Sequence, residues 1–322
     1  MLAAAAVAID PDDPLAGLQV DEIAEPPTPP DWVSVEVKAA ALNHHDLWSL
    51  RGVGLPAERL PMILGCDAAG IGPDGAEVLV YPVIATPGWS GEATLDPRRT
   101  LLSELHPGTL AERVRVPAEN LVPKPPQLSW EQAACLPTAW LTAYRMLFAN
   151  AAVSPGDTVL VQGAAGGVAS AAIQLGSAAG LRVWATSRAG AKRELAVDLG
   201  ADQAFETGAR LPERVDAVVE TVGAATWSHS VNALRPGGTI VIAGATSGDA
   251  PTHAELTKIF FKQLRVIGST MGTRMQLAQL ARFVADRGIQ PRIDSVLPLA
   301  QARHGFARMA AGEVAGKIVL VP

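Results

Sequence analysis

The sequence predicts an α/β fold, with a doubly wound parallel sheet in the second half of the chain. Three observations carry this. Short apolar runs alternate with helical patterns from residue 157 to residue 269, the order that builds parallel strands joined by crossover helices. Within that region residues 157–188 read DTVLVQGAAGGVASAAIQLGSAAGLRVWATSR: an apolar strand, a glycine cluster, an alanine-rich helix and a second strand, which together make one βαβ unit. Residues 1–122, by contrast, read as β-rich and irregular.

Taken in order, MLAAAAVAID has no basic start and is cut short by Asp10-Pro11, so it reads as a first strand and not as a signal peptide. Pro26, Pro27, Pro29 and Pro30 mark a loop. Residues 32–39 (WVSVEVKA) alternate apolar and polar, as a half-buried strand does, and residues 77–83 and 111–116 are further strands. Residues 84–108 carry turn residues and no clear period, a loop or lobe of unassigned shape. NLVPKPPQ (120–127) is a connector. Residues 130–150 are mostly helical, with a break expected at Pro137. The alternation comes next: strand 158–163, helix 167–179, strand 182–187, helix 191–199, strands 203–205 and 215–220, helix 226–234, strand 239–243, helix 254–261, strand 265–269, helix 275–287. A strand, helix and strand from Ile293 to Val321 return to the first domain. The expected domains are 1–122 with 293–322, and 123–292.

With 322 residues, 48% hydrophobic and 18% charged, the chain supports two domains and ample core. A net charge of −6 without a basic block argues against a nucleic-acid partner. The uncharged stretch between Asp157 and Arg182 is long enough for a membrane span, but its glycine clusters, Gln162 and Gln174 favour a buried strand and helix. Two cysteines make no disulfide framework. The expectation is a soluble, cytoplasmic protein.

The glycine cluster points to a ligand. A turn without side chains lets a pyrophosphate approach, and the helix that begins there directs free N–H groups and a positive dipole end at the anion. The G-x-G-x-x-G pattern is imperfect: Gly166 holds the central place, followed by Gly167 and Val168, while Ala164 and Ala169 stand at its first and third positions. Taken alone, the cluster also suits close helix–strand packing with no ligand. The end of the second strand narrows the choice. Where NAD binders place an acidic residue on the ribose, this chain has Ser187 and Arg188, with Lys192 following. Hydroxyl and guanidinium groups attract a 2′-phosphate that a carboxylate would repel, so the expected cofactor is NADPH. Thr221, Val222 and Gly244 lie at the carboxyl ends of later strands, where such a ligand binds.

A set of segments extends the reading: ALNHHD (41–46), GCDAAG (65–70), PAENLVPKP (117–125), LPTAWLTAY (136–144), GAAGGVAS (163–170), ELAVDLGAD (194–202), LRPGGTIVIAG (234–244), FFKQLRVIGS (260–269) and GKIVL (316–320). In this order and spacing the chain resembles the medium-chain dehydrogenase/reductase superfamily over nearly its whole length. The resemblance implies a GroES-like β-rich catalytic domain, a Rossmann cofactor domain and an active site in the cleft between them. In the family's alcohol dehydrogenases a Cys, a His and a Cys hold a catalytic zinc; those positions fall on Asn43, Cys66 and Thr138. The structural zinc lobe needs four cysteines and the chain has two. No metal is therefore expected, with one alternative: the resemblance also gathers His44, His45, Asp46, Cys66 and Asp67 near enough for a non-standard site.

The chain then looks like the zinc-free branch, the quinone oxidoreductases and enoyl reductases, which transfer a hydride to a quinone or α,β-unsaturated carbonyl. Asn43 and Asp46 resemble that branch's Asn and Asp, the amide reaching cofactor ribose or substrate; a local turn-stabilising pair is the alternative. His45 falls where alcohol dehydrogenases relay a proton, and near-neutral titration would let it donate one. Trp48 reads as an aromatic wall for a flat substrate or as core. Thr142 and Tyr144 match residues near the cofactor, and the backbones of Gly244, Ser269 and Thr270 are expected beside the nicotinamide. A homodimer is implied, as relatives pair through the Rossmann sheet edge. The alternatives are an alcohol dehydrogenase with unusual zinc ligation and a non-catalytic NADPH-binding redox sensor.

Overall fold

The computed structural model describes residues 1–322. They divide into two units, one of Met1–Thr138, Thr273–Asp286 and Ile293–Pro322, the other of Ala139–Gly272 and Arg287–Arg292.

The first unit holds β1 (Leu2–Ala6), β2 (Leu18–Glu22), β3 (Trp32–Ala41), α1 (His44–Leu50), β4 (Met62–Ile63), β5 (Asp67–Ile71), β6 (Glu77–Val80), β7 (Val83–Ile84), β8 (Thr100–Leu101), β9 (Arg113–Pro117), β10 (Leu121–Pro123) and α2 (Trp130–Ala134). The second holds α3 (Leu141–Tyr144), β11 (Thr158–Gln162), α4 (Gly167–Ala178), β12 (Arg182–Thr186), α5 (Gly190–Asp198), β13 (Gln203–Phe205), β14 (Val215–Glu220), α6 (Trp227–Ala233), β15 (Leu234–Ile242), α7 (Leu256–Phe261) and β16 (Arg265–Gly268). The chain ends, back in the first unit, with α8 (Arg274–Asp286), β17 (Ile293–Pro298), α9 (Ala302–Ala310) and β18 (Lys317–Val321).

In the first unit a seven-stranded sheet runs β10-β6-β5-β3-β18-β17, with β9 also on β3, beside a three-stranded sheet β2-β1-β4. Its core gathers Val35, Val37, Leu50, Leu64, Val114, Phe306 and Leu320. The register of β3 decides which charged groups meet at its end. Ala41 pairs with Asp67 of β5 on one side and with Val319 of β18 on the other. Leu42 N–H donates to Ile318 O at 3.0 Å, continuing that ladder by one residue. Lys317 and Asp67, the first residues of their strands, therefore flank the end of β3 where Asn43 follows.

The first unit extends past the proline-rich connector to Thr138, whereas sequence places the boundary after 122. The reason is packing: α2 lies against β3 and β5, and α8 lies against β10, so these helices stay with the β-rich unit. Nor does Pro137 end the helical run. It sits in a wide π-helical turn, Leu136–Trp140, leading directly into α3, and such turns accommodate a missing i→i−4 bond. Residues 84–108 contribute a small hairpin, β7 with β8.

In the second unit all six strands are parallel in the order β13-β12-β11-β14-β15-β16. Renumbered within the unit this is 3-2-1-4-5-6, the doubly wound order, whose reversal between β11 and β14 opens a crevice at the carboxyl ends of the strands. β11 and the carboxyl halves of β12 and β14 are buried throughout, as strands covered by helices on both faces must be. Trp184 anchors the core with its ring edge-on to Phe205 at 5.6 Å. No helix of the chain is long and apolar enough to cross a membrane.

Candidate functional site

At the end of β3 the first unit buries a cluster of charged groups. Lys317, 2% exposed, directs its ammonium at three oxygens: Leu42 O and Asn43 Oδ1 at 2.6 Å each, and Asp67 Oδ2 at 2.9 Å. Three protons meet three acceptors, so this ammonium is fully satisfied. Asn43 closes the ring by donating Nδ2–H to the same Asp67 Oδ2 at 2.9 Å. Its amide is thus bonded at both ends within the cluster and only 8% exposed. This corrects the expectation that the amide is free to reach ribose or substrate.

Asp46, on the first turn of α1, does accompany Asn43. Its carboxylate accepts Asn43 N–H at 2.8 Å and Gly65 N–H at 3.1 Å, tying the start of the helix to the loop before β5. Complete burial pushes its pKa up to about 7, against the lowering pull of the Asn43 hydrogen bond and the Lys317 charge. His45, next to it, is turned toward Glu104, with Nε2 at 3.6 Å from the carboxylate. Its side chain keeps 23% exposure, but Nε2 itself is buried without a hydrogen-bond partner. Desolvation drives the imidazole down to about 4. Glu104 does little to reverse this, because burial disfavours its own charge and raises its pKa. His45 is thus neutral near pH 7, not the near-neutral proton donor expected from sequence. Trp48 is half-buried and carries the Arg51 guanidinium 5.4 Å over its ring, so the wall expected there has a cation on one face.

The positions where alcohol dehydrogenases hold zinc do not fit that metal. Asn43 Oδ1 is occupied by Lys317. Cys66 Sγ faces Leu102 O at 3.3 Å and Ser103 Oγ at 3.5 Å, and burial pushes its thiol well above the ordinary range. Thr138 offers only a hydroxyl, buried and without a partner. A zinc site needs three good donors, thiolate, imidazole or carboxylate. The alternative cluster is also dispersed: His45 faces Glu104, Cys66 faces Leu102, and Asp67 is held by Lys317.

In the second unit the predicted cofactor residues collect at one end of the sheet. Gly163, directly after β11, adopts φ +77°, and an added Cβ would lie 2.9 Å from Val222 Cγ2. It is the conformationally demanding glycine of the turn, a role sequence reasoning did not give it. Ala164 is fully buried, with its N–H bonded to Thr186 O at 3.0 Å across the strand ends. It braces the turn, with its side chain out of solvent. Gly166 is the residue before α4, exposed, with nothing within 4 Å of an added Cβ. No side chain caps α4, which leaves its first N–H groups, those of Gly167 and Val168, for an anion.

Ser187 and Arg188 follow β12. Arg193 fixes their backbone by donating to Ser187 O at 2.8 Å and Arg188 O at 3.1 Å. Arg188 itself is exposed, and Lys192 is half-buried on the first turn of α5. Beneath the turns runs a buried polar chain that sequence reasoning missed. Thr186 Oγ1 donates to Gln162 Oε1, and Gln162 Nε2 donates to Ser230 Oγ at 2.9 Å and to His229 Nδ1 at 2.9 Å. Ser230 donates to Glu220 Oε2 at 2.6 Å, and Glu220 also accepts the N–H groups of Val222 at 2.8 Å and Gly223 at 3.0 Å. This chain sets the backbone of Thr221 and Val222. The signal was present: Gln162 and Glu220 are polar residues ending apolar strands. Gly244 packs close, an added Cβ lying 3.1 Å from Thr221 O. Thr142 is buried in α3. The Ser269 hydroxyl is bonded to Asn150 Oδ1 at 3.0 Å, so its side chain has a structural partner.

Comparison with known proteins finds one family model in each half of the chain, the second running on through α8, which the structure groups with the first unit. The alcohol dehydrogenase GroES-like domain model matches residues 29–126, and the zinc-binding dehydrogenase model matches residues 167–286. An alcohol dehydrogenase of Geobacillus stearothermophilus is 30% identical, covering 94% of this chain and 96% of its own. An acryloyl-coenzyme A reductase of Sulfurisphaera tokodaii is 28% identical, covering 96% and 98%. Among solved structures, one described as an NAD-dependent alcohol dehydrogenase superposes with a TM-score of 0.91 at 36% identity over the full length of both chains. A 2-octenoyl-CoA carboxylase reductase in complex with NADP and 2-octenoyl-CoA superposes with a TM-score of 0.90 at 26% identity, over 99% of this chain and 87% of that one.

The Asp46 carboxyl yields a pH prediction. Its folded pKa of about 7 lies above the ordinary aspartate value of about 3.9, so folding takes up a proton between those limits. Its contribution to stability is full below the lower limit and is lost as pH rises through the upper one. In denaturant titrations, the stability of wild type relative to Asp46→Asn should fall from pH 4 to pH 7. A rise would show instead that the carboxylate is held ionised by its two N–H donors and Lys317.

Proposed function

Because the chain belongs to the medium-chain dehydrogenase/reductase superfamily, we propose that it is an NADPH-dependent, zinc-independent reductase of α,β-unsaturated carbonyl compounds, with quinones among its acceptors. The observation that carries this is the donor set at Asn43, Cys66 and Thr138, where an ammonium already fills the one polar corner. An alcohol needs a Lewis acid to stabilise its alkoxide. A conjugated carbonyl spreads incoming charge onto its own oxygen and needs only modest hydrogen-bond donors. Relatives named as acryloyl-coenzyme A reductases and enoyl-CoA carboxylase reductases support the same acceptor class.

NADPH supplies the hydride when bound. The residues that hold it are Gly166, Gly167 and Val168 at the start of α4 for the pyrophosphate, and Ser187, Arg188 and Lys192 for the ribose 2′-phosphate. Thr221, Val222 and Gly244 border the same strand ends. His45, neutral and partly reached by solvent, orients by hydrogen bonding and does not act as an imidazolium acid. The active species in this reading is a homodimer. In the second unit β16 is the outer strand of the sheet, and Leu256 (68% exposed), Phe260 (63%), Phe261 (76%) and Val266 (43%) form an apolar surface on α7 and β16. An unpaired edge beside apolar side chains suits a second copy.

An acceptor screen tests the chemistry. NADPH consumption should be rapid with a short enoyl thioester, an enone or a quinone, and unchanged by added chelator. Alcohol oxidation that exceeds these rates and rises with added zinc would favour the alcohol dehydrogenase reading, and tight NADPH binding with no turnover would favour the sensor. Two variants separate the parts of the cofactor site. Gly166→Glu, at a position where an added Cβ meets nothing within 4 Å, places a carboxylate at the anion site and should weaken NADPH and NADH alike. Arg188→Asp should weaken NADPH by about 1–3 kcal/mol more than NADH; equal losses would remove the 2′-phosphate role. For the dimer, Val266→Lys should convert a two-subunit species into a monomer in sedimentation velocity, and a wild type already monomeric would sink the proposal.

A further inference from the structure

We propose that Glu104 supplies the proton that completes the reduction, handing it through the ring of His45 to the reduced acceptor. The inference rests on the reductase reading above and on the place that reading gives His45. Glu104 does not itself touch the acceptor; it is a positioning residue that holds and renews the proton His45 delivers.

Three observations carry it. The first is distance. Glu104 Oε1 lies 3.6 Å from His45 Nε2, too close for a water molecule to stand between them, and such contacts commonly tighten once substrate binds. The second is that the path is open at the ends and unoccupied in the middle. His45 Nε2 is buried with no hydrogen bond, whereas Nδ1 is not closed off in this way and makes no bond within the protein, so it is open to solvent. The Glu104 carboxyl is partly exposed and has no side-chain hydrogen bond, so water renews its proton. The third is that the carboxyl is seated. Glu104 belongs to the tight turn after β8, where Ser103 N–H donates to His106 O at 2.8 Å and Glu104 N–H donates to Leu101 O at 3.3 Å. Ser103, buried beside Cys66 Sγ, takes a left-handed φ of +68°, a conformation that favours glycine. From the other side, an added Cβ at Gly54 would lie 2.6 Å from Glu104 Oε1, so the loop after α1 closes on the carboxyl.

The charged neighbours leave the pair to itself. Burial raises the Glu104 carboxyl, and the Arg99 guanidinium lowers it by less. The Cys66 thiol, raised in part by Glu104, stays protonated. Asp46 is held by the N–H groups of Asn43 and Gly65, and His106 faces Thr100 Oγ1 at 2.9 Å. After hydride transfer the acceptor carries negative charge on oxygen. His45 Nδ1–H gives that oxygen its proton, and Nε2 takes the carboxyl proton of Glu104. The ring passes from one neutral tautomer to the other, which suits an imidazole driven down to about 4. One N–H and one O–H bond break, one of each forms, and the carboxylate left on Glu104 recovers a proton from water.

The test uses the full-length protein with NADPH, an enone and a quinone. With the enone, wild-type kcat should fall as pH rises through the Glu104 titration, because the carboxyl form is the donor. Glu104→Gln keeps the size and removes the proton. It should lower the enone kcat roughly 100-fold and flatten that pH profile, with KM and melting temperature near wild type. The quinone, whose reduced anion is a weaker base than an enolate, should lose much less. In Glu104→Ala, added formate should restore part of the enone rate. An unchanged pH profile in Glu104→Gln, or equal losses with both acceptors, overturns the proposal and leaves the reductase reading intact. A further readout needs no turnover: in nitrogen NMR the wild-type His45 ring should respond to pH at the midpoint of Glu104, and that step should vanish in Glu104→Gln. Its absence from wild type overturns the proposal whatever the acceptor screen finds. A screen without turnover removes the reductase reading and the delivery step with it, and a persisting coupled step would then show only that the two side chains share a proton.

Discussion

The buried contact of the Lys317 ammonium with Asp67, Asn43 and the Leu42 carbonyl is the constraint on which the first unit depends. Lys317 and Asp67 stand 250 residues apart in sequence and meet only because β5 and β18 reach the end of β3 from different sides. Moving either charge out of water costs on the order of several kcal/mol, and only good geometry offsets it. The geometry is good: three donors, three acceptors, and a carboxylate oxygen shared between ammonium and amide. The same arrangement fixes what neighbouring groups can do. It takes up the Asn43 amide, and its charge pulls down on the buried Asp46 carboxyl, where desolvation still outweighs the groups that would keep it ionised.

The second unit solves a different problem, which is holding several strand-end loops still while leaving their outward N–H groups free. Thr186, Gln162, Ser230 and Glu220 form a continuous buried line from β12 through β11 to β14 and α6. Each member has its partner, and a network satisfied in this way rigidifies where a half-satisfied one would destabilise. Loop positions are thus set from below by side chains, and the uncapped start of α4 faces outward at the strand order's reversal, where an anion gains both N–H groups and the helix dipole.

These features fit chemistry in which the acceptor carries its own activation. The chain's relatives include proteins named as alcohol dehydrogenases and proteins named as enoyl-CoA reductases, so the shared frame does not choose between them. The proposed reading turns on a few side chains: the Asn43 amide with the Lys317 ammonium on its oxygen, the buried Cys66 thiol and the Thr138 hydroxyl.

Much of this was legible in residue order. The alternation of strands and helices after residue 157, the glycine turn, and the hydroxyl and guanidinium at 187–188 are local patterns, because backbone periodicity and turn chemistry are set by neighbours in sequence. Asn43 and Asp46 are three residues apart and share one helical turn, so their association was legible too. Local pattern could not decide anything that requires strands distant in sequence to meet. That α2 belongs with the β-rich unit follows from its packing on β3 and β5. That His45 is neutral follows from the protein that encloses it. That Gly163, and not Gly166, bears the positive φ follows from the strap between Ala164 and Thr186. Above all, the lysine opening the last strand enters the sequence reading only as part of GKIVL; the register of β18 on β3 brings it to Asn43, and charge alignment between strands is fixed by their pairing and not by their order.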